Sequence, residues 1–304
     1  MTDRSPMEVA IEIRLLETPA EMETIERLSL DVWPGSEMDV IPAHLLLTIA
    51  KNGGIVLGAF EKDRMIAYAF GFLGLHSLES NQEIKHCSHQ LGVHPDYQSS
   101  GVGFKLKRAQ WQLVRQQGLD LITWTYDPLL SLNANLNFAK LGAIANTYLR
   151  ELYGQMRDGL NIGLPSDRIQ MEWWVNSKRV IRRLSSQPRP RLDMAHFLAA
   201  GVPQINHTSL DSNHWPVPET ELLPINDEAS EPHPVVLLEI PADFPQLKSA
   251  DMQLASNWRE HTRMAFEMMF STGYYITDFV FLPGKHPRSF YVLTYGDTTL
   301  GDET

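Results

Sequence analysis

The chain has 304 residues, 43% of them hydrophobic and 21% charged, the composition of an ordinary globular protein with room for two domains. Its net charge of -11 argues against a general nucleic-acid binder, because phosphate backbones select basic surfaces. A single cysteine, Cys87, excludes a disulfide framework and multi-cysteine metal sites; without a membrane-length apolar run or a signal-peptide core in MTDRSPMEVA, the expectation is cytoplasmic, with no metal and no membrane.

Residues 9–17, VAIEIRLLE, alternate as a strand. Thr18 then caps the helix PAEMETIERLSLDVW, with Pro19 at its first position and Trp33, Pro34 and Gly35 at its end. Residues 55–60 (IVLGAF) and 65–73 (MIAYAFGFL) are strands joined by the polar turn EKDR, and 84–93 (IKHCSHQLGV) is a third. The helix after Gly101 sets Val102, Leu106, Ala109, Leu113 and Val114 on one face, lysines, arginines and glutamines opposite, and ends at Gly118. Residues 119–126 (LDLITWTY) read as a buried strand stopped by Asp127 and Pro128, followed by a short helix, SLNANLNFAKLG. Strands at 144–152 and 169–175 flank the loop YGQMRDGLNIGLPSDR.

This order predicts a mixed α/β domain over residues 1–176. Residues 177–200, with KRVIRRLSSQPRPR, read as a basic, proline-containing linker. Residues 201–304 form a smaller C-terminal α+β unit: a proline-rich stretch, a strand at 235–240, a helix at 251–272, and a hairpin around Pro283 and Gly284.

Between the third strand and the long helix lies HPDYQSSGVG. Such a turn either only caps the helix or seats an anion. Its backbone N–H groups lack helical partners and join the positive end of the helix dipole. The pattern is neither a dinucleotide fingerprint nor a P-loop. Gln98-Ser99-Ser100-Gly101-Val102-Gly103 resembles the pyrophosphate motif [QR]-x-x-G-x-[GA] of the GNAT superfamily of acyl-CoA-dependent N-acyltransferases, and Leu91-Gly92-Val93 stands where that family has its L-x-V strand end. Ala134 and the run Phe138 to Ala143 match a further family region. The resemblance covers residues 9–175. It implies a GNAT-like, mostly antiparallel sheet with a splayed central strand pair flanked by helices, and acyl-CoA (acetyl-CoA or succinyl-CoA) as co-substrate.

By that resemblance the amides near Leu91 and Val93 bind the pantetheine arm, those of Ser100, Gly101, Val102 and Gly103 hold the pyrophosphate beside Gln98 and Ser99, and Asn133 or Asn135 bonds the cofactor's amides. A base must take the ammonium proton. Period two puts His86, Ser88 and Gln90 on one side of the strand and Cys87, His89 and Leu91 on the other; His89 shares the side of Leu91 and Val93 and is the candidate base, with His86 near the acceptor. The family's thiolate-protonating tyrosine falls on Phe138, which leaves Tyr126, Ser131 or water as the acid. Arg168 is placed to fork onto an acceptor carboxylate and Trp173 or Trp174 to wall its pocket, unless Asp167 and Arg168 are a solvated pair and the tryptophans core.

The strings around these residues also resemble a less studied GNAT subgroup with a C-terminal extension, associated with acylation, including N-succinylation, of amino-acid amines. The acceptor implied is a small amine or amino acid. The alternatives are a silent acyl-CoA-binding protein and a protein-lysine acylating enzyme. The C-terminal unit could extend the sheet, cover the acceptor cleft or build a homodimer.

Overall fold

The computed structural model describes residues 10–34, 40–78, 81–156, 162–186, 191–223 and 232–296. They form a mixed α/β protein of two compact units, Met1–Ile122 and Thr123–Thr304.

In the first unit β1 (Ile11–Leu15), β2 (Ile55–Glu61), β3 (Arg64–Leu78) and β4 (Asn81–Val93) make an antiparallel sheet in that order. Helix α1 (Pro19–Val32) starts as expected: the Thr18 side chain accepts from Glu21 N–H and Glu21 reaches back to Thr18 N–H, a capping box contributing about 1 kcal/mol. Helix α2 (Ala43–Lys51) was not foreseen, because its N-cap, Pro42, offers no capping side chain and its apolar run hides the helical period. Met22, Ile25 and Leu28 of α1 and Leu46 of α2 pack against Val56, Tyr68 and Phe70. A 3₁₀ turn (Pro95–Tyr97) leads from β4 toward α3 (Val102–Gln116).

The second unit begins within β5 (Leu121–Tyr126) and continues through α4 (Ser131–Ala134), a π-helical turn (Asn135–Lys140), β6 (Ile144–Leu149), β7 (Arg168–Trp174), α5 (Lys178–Leu184) and α6 (Met194–Ala199). Then come β8 (Asn206–Leu210), β9 (Pro216–Leu222), β10 (Val235–Pro241), α7 (Phe244–Ala250), α8 (Met252–Ser271), β11 (Tyr274–Leu282) and β12 (Arg288–Tyr295). Its main sheet runs β5-β7-β6-β11-β12-β10, and β8-β9 is a separate hairpin. Pairing of Ile276 with Ala145 joins β11 to β6, so the C-terminal strands extend a sheet.

The division after Ile122 differs from the boundary expected at 176. The expected linker contains α5 and α6, while residues 187–190 lie outside the described set. Val180 and Leu184 are buried. Arg183 donates to Ala139 O (2.9 Å) and Asp278 (2.5 Å), and Arg179 to the carbonyls of Gly142 and Thr277. A basic composition that reads as a solvated linker here satisfies helix-end and strand carbonyls. The proline-rich stretch after 200 likewise holds β8 and β9, whose prolines hide their strand character.

Candidate active site

The backbone at the start of α3 has the form that an anion seat requires. Gly101 is the N-cap with φ of 86°, a left-handed conformation that favours glycine, and no side chain caps the helix. The amides of Val102, Gly103 and Phe104 have no acceptor within the helix. Ser100 is engaged in the turn, its N–H and hydroxyl both on Tyr97 O (3.4 and 2.6 Å), and Gln98 Nε2 reaches Val93 O at 3.5 Å. Ser99 is exposed with φ of 62°.

Gly103 is the informative position. Its φ is not left-handed, and a Cβ there would sit 3.5 Å from Leu91 Cδ2 and 3.7 Å from Val93 Cγ2, ordinary contact distances. Glycine in a helix costs about 1 kcal/mol relative to alanine. Neither the backbone nor the packing of this chain requires glycine at this position. A Cβ on Gly101 would meet nothing within 4 Å, so the space beside the free amides is open.

Strand β4 departs from simple alternation. Phe70 pairs with Gln90 and Gly71 with Ser88, so His89 is the extra residue of a β-bulge. His86 and Ser88 face α3, bonded to Gln110 and Lys107. Leu91 and Val93 lie on that face too, beside Gly103. His89 instead meets Phe70 and Phe72, with ring centroids 5.4 and 6.0 Å apart, and Gln90 accepts from Tyr68 OH at 2.9 Å, on the α1–α2 face. The expectation that His89 shares the side of Leu91 and Val93 is corrected: the bulge reverses the alternation. His89 is nonetheless exposed, and desolvation by its surroundings draws its pKa below the ordinary 6.5. Such an imidazole is neutral at pH 7 and able to accept a proton.

His86 does not reach an acceptor site in this arrangement, because it is 0% exposed. It belongs to a buried polar chain absent from the sequence reading. Lys107 Nζ donates to Ser88 Oγ (2.8 Å) and Gln110 Oε1 (3.0 Å), and Gln110 Nε2 meets His86 Nε2 at 3.1 Å. Burial lowers Lys107 to about 7; burial and the Lys107 charge lower His86 to about 3. Gly71 makes room for the imidazole, since a Cβ there would lie 2.3 Å from His86 Nε2. The three- and four-residue steps from Lys107 through Gln110 to Val114 were the available signal.

The second unit revises four further assignments. Tyr126 is buried, its OH 2.8 Å from Tyr291 OH, which donates to Pro128 O; burial raises its pKa well above 10, so it is a core residue. Ser131 is buried on Ser289 Oγ at 2.8 Å. Trp173 is fully buried, donating to Leu141 O at 3.0 Å, with Trp124 edge-on. Arg168 is buried, donating to Asp167 O (2.8 Å) and Met156 Sδ (3.0 Å), with Asp127 at 3.9 Å. Asp167 pairs instead with Arg263 (2.8 and 2.9 Å), so the two are not a solvated pair. Phe138 packs edge-on against Tyr126 and Tyr291. Asn133 is exposed, and half-buried Asn135 opens the π-helical turn, a form frequent at functional sites.

No protein-family model matches the chain, and no curated protein does. Solved structures do. A protein from Desulfovibrio desulfuricans assigned to the GNAT family of acetyltransferases is 21% identical, over 55% of this chain and 99% of its own, at a TM-score of 0.42. The ribosomal-protein-S18-alanine N-acetyltransferase of Escherichia coli is 15% identical over 55% and 94%, at 0.41. A GNAT-family acetyltransferase of Streptococcus pneumoniae is 14% identical over 54% and 98%, at 0.42. Among the described residues no group of three or more His, Cys, Asp or Glu is placed to hold a metal ion, and no helix is long and apolar enough to cross a membrane.

Proposed function

We propose that the chain is an acyl-CoA-dependent N-acyltransferase acting on the amine of a small acceptor, an amino acid or a related amine. The observation that carries this is Gly103: a helical glycine with no internal reason, beside free amides and an open left-handed turn. The fit to a diphosphate is direct, because that group needs close backbone approach and N–H donors and no metal. Acyl-CoA, when bound, supplies an activated acyl group on a departing thiol. The amides of Val102, Gly103 and Phe104 hold its anionic end, and Leu91 and Val93 line the approach.

His89 is the proposed base, taking onto a ring nitrogen the ammonium proton of an amine that approaches on the α1–α2 face, opposite Leu91 and Val93. Phe138 is apolar and Tyr126 and Ser131 are bonded in the core, so these positions supply no proton; with a thiol pKa of about 8.5 none is required for departure. Phe138 also favours a second reading, a silent acyl-CoA-binding protein.

The test is thiol release from acetyl-CoA and succinyl-CoA with a panel of amino acids, other small amines and a lysine peptide. Amine-dependent release from the small acceptors is expected. Release only with the peptide would make the chain a protein acylator, and none would favour the silent reading. Because the His89 pKa lies below 6.5, turnover should hold at neutral pH and fall as pH drops through that pKa. His89→Ala should lower turnover about 100-fold and remove that limb; an unchanged profile would transfer the role to another group.

A further inference from the structure

In the second unit two hairpin tips and the end of β10 enclose a cavity of about 640 Å³, the size of a small-molecule site. The acyl-transfer reading uses none of its residues. One tip is the β8–β9 turn and the other the β11–β12 turn, and each contributes a histidine: the rings of His214 and His286 stack with centroids 4.9 Å apart and planes 4° apart. His214 holds a φ of 66° in a turn tied by Asp211, which accepts from Asn213 N and Trp215 N at 2.8 Å each.

The wall carries two carboxylates of different standing. Glu239, 2% exposed, accepts from Arg288 Nε (2.7 Å) and Nη2 (2.6 Å), Thr208 Oγ1 (2.8 Å) and Gln204 Nε2 (3.0 Å). Three of these donors converge on Oε2 and one reaches Oε1, and the Arg288 guanidinium offsets the carboxylate's charge. Asp243 Oδ1 accepts from Gln246 N at 3.1 Å. Opposite in sign, Lys285 and Arg288 Nη1 have no acceptor among the described residues. The unused donors are Lys285 Nζ and Arg288 Nη1, with Asp243 Oδ2 as an acceptor at the rim, set among the flat surfaces of Trp215, the histidines and the wall prolines.

We propose that this cavity binds a small organic anion with a flat ring, of the aryl carboxylate class, its carboxylate on Lys285 and Arg288 and its ring on the Trp215–histidine wall. Calorimetry of the full chain with 2-naphthoate, 2-naphthamide and 2-naphthylmethylammonium holds the ring constant while charge varies. Naphthoate should bind saturably at one per chain, the amide at least tenfold more weakly, and the ammonium more weakly still. Lys285→Glu and His286→Ala, both at exposed positions, should each weaken naphthoate at least tenfold with the circular dichroism unchanged. Gly103→Glu, in the other unit, should leave naphthoate affinity alone, which separates this site from the coenzyme seat. Equal affinity for the three ligands, no saturation at millimolar naphthoate, or affinity unmoved by Lys285→Glu would overturn the assignment.

Discussion

One buried cation in each unit is accommodated by a different means. In the first, Lys107 is 4% exposed and donates to the neutral Ser88 and Gln110, and burial lowers its pKa to about 7. In the second, Arg259 is 2% exposed; burial presses it the same way, but the Asp127 carboxylate bonded to it more than compensates and raises its pKa. Arg263 and Glu267 continue along the same face of α8, paired with Asp167 and Arg150. Lysine can shed its proton inside a protein and arginine cannot, so the same burial has different outcomes at Lys107 and at Arg259.

The largest effect is expected at Asp127. Asp127→Ala leaves Arg259, whose Nε and Nη1 already have no partner, buried without its counter-charge, and should cost about 3–5 kcal/mol of stability in urea unfolding. A loss below about 1 kcal/mol would break the comparison. Lys107 comes next, and its sign follows from linkage. Its folded pKa of about 7 lies below the unfolded value near 10.5, so the unfolded chain binds more protons between those limits. The destabilising contribution is fully present below pH 7, and stability rises with pH above it, by at most about 1.4 kcal/mol per pH unit. Lys107→Met should flatten that rise; a parallel pH dependence in the variant would show that Lys107 does not titrate there. Tyr126→Phe, smallest of the three, removes one buried hydroxyl bonded to Tyr291 and should cost about 1 kcal/mol with turnover within threefold of the parent. A hundredfold fall in turnover would return Tyr126 to the reaction.

Much of the first unit was legible in its sequence. The Thr18 capping box, the EKDR hairpin and the glycine-framed start of α3 are local signals, and local hydrogen bonding decides them. The side on which His89 projects was not legible, because a bulge depends on how β3 meets β4 and leaves no mark in β4 alone. Lys107 and Gln110 were hidden by the rule that charged residues face water, a rule that fails when neighbours satisfy them. Arg168 and Trp173 were placed near an acceptor for their residue types, yet both are buried by packing from distant segments. Composition misled most at 178–184, where basic side chains bind carbonyls and an aspartate.

The most direct measurement is a calorimetric titration with coenzyme A of the native chain and of Gly103→Glu. A glutamate in the first turn of α3 suits the helix dipole and opposes an anionic ligand. Saturable binding at one per chain, weakened at least 100-fold in the variant with no loss of unfolding midpoint, is the predicted result. A native chain that does not bind coenzyme A, or a variant that binds it equally well, would contradict the seat at the start of α3 and the acyltransferase built on it.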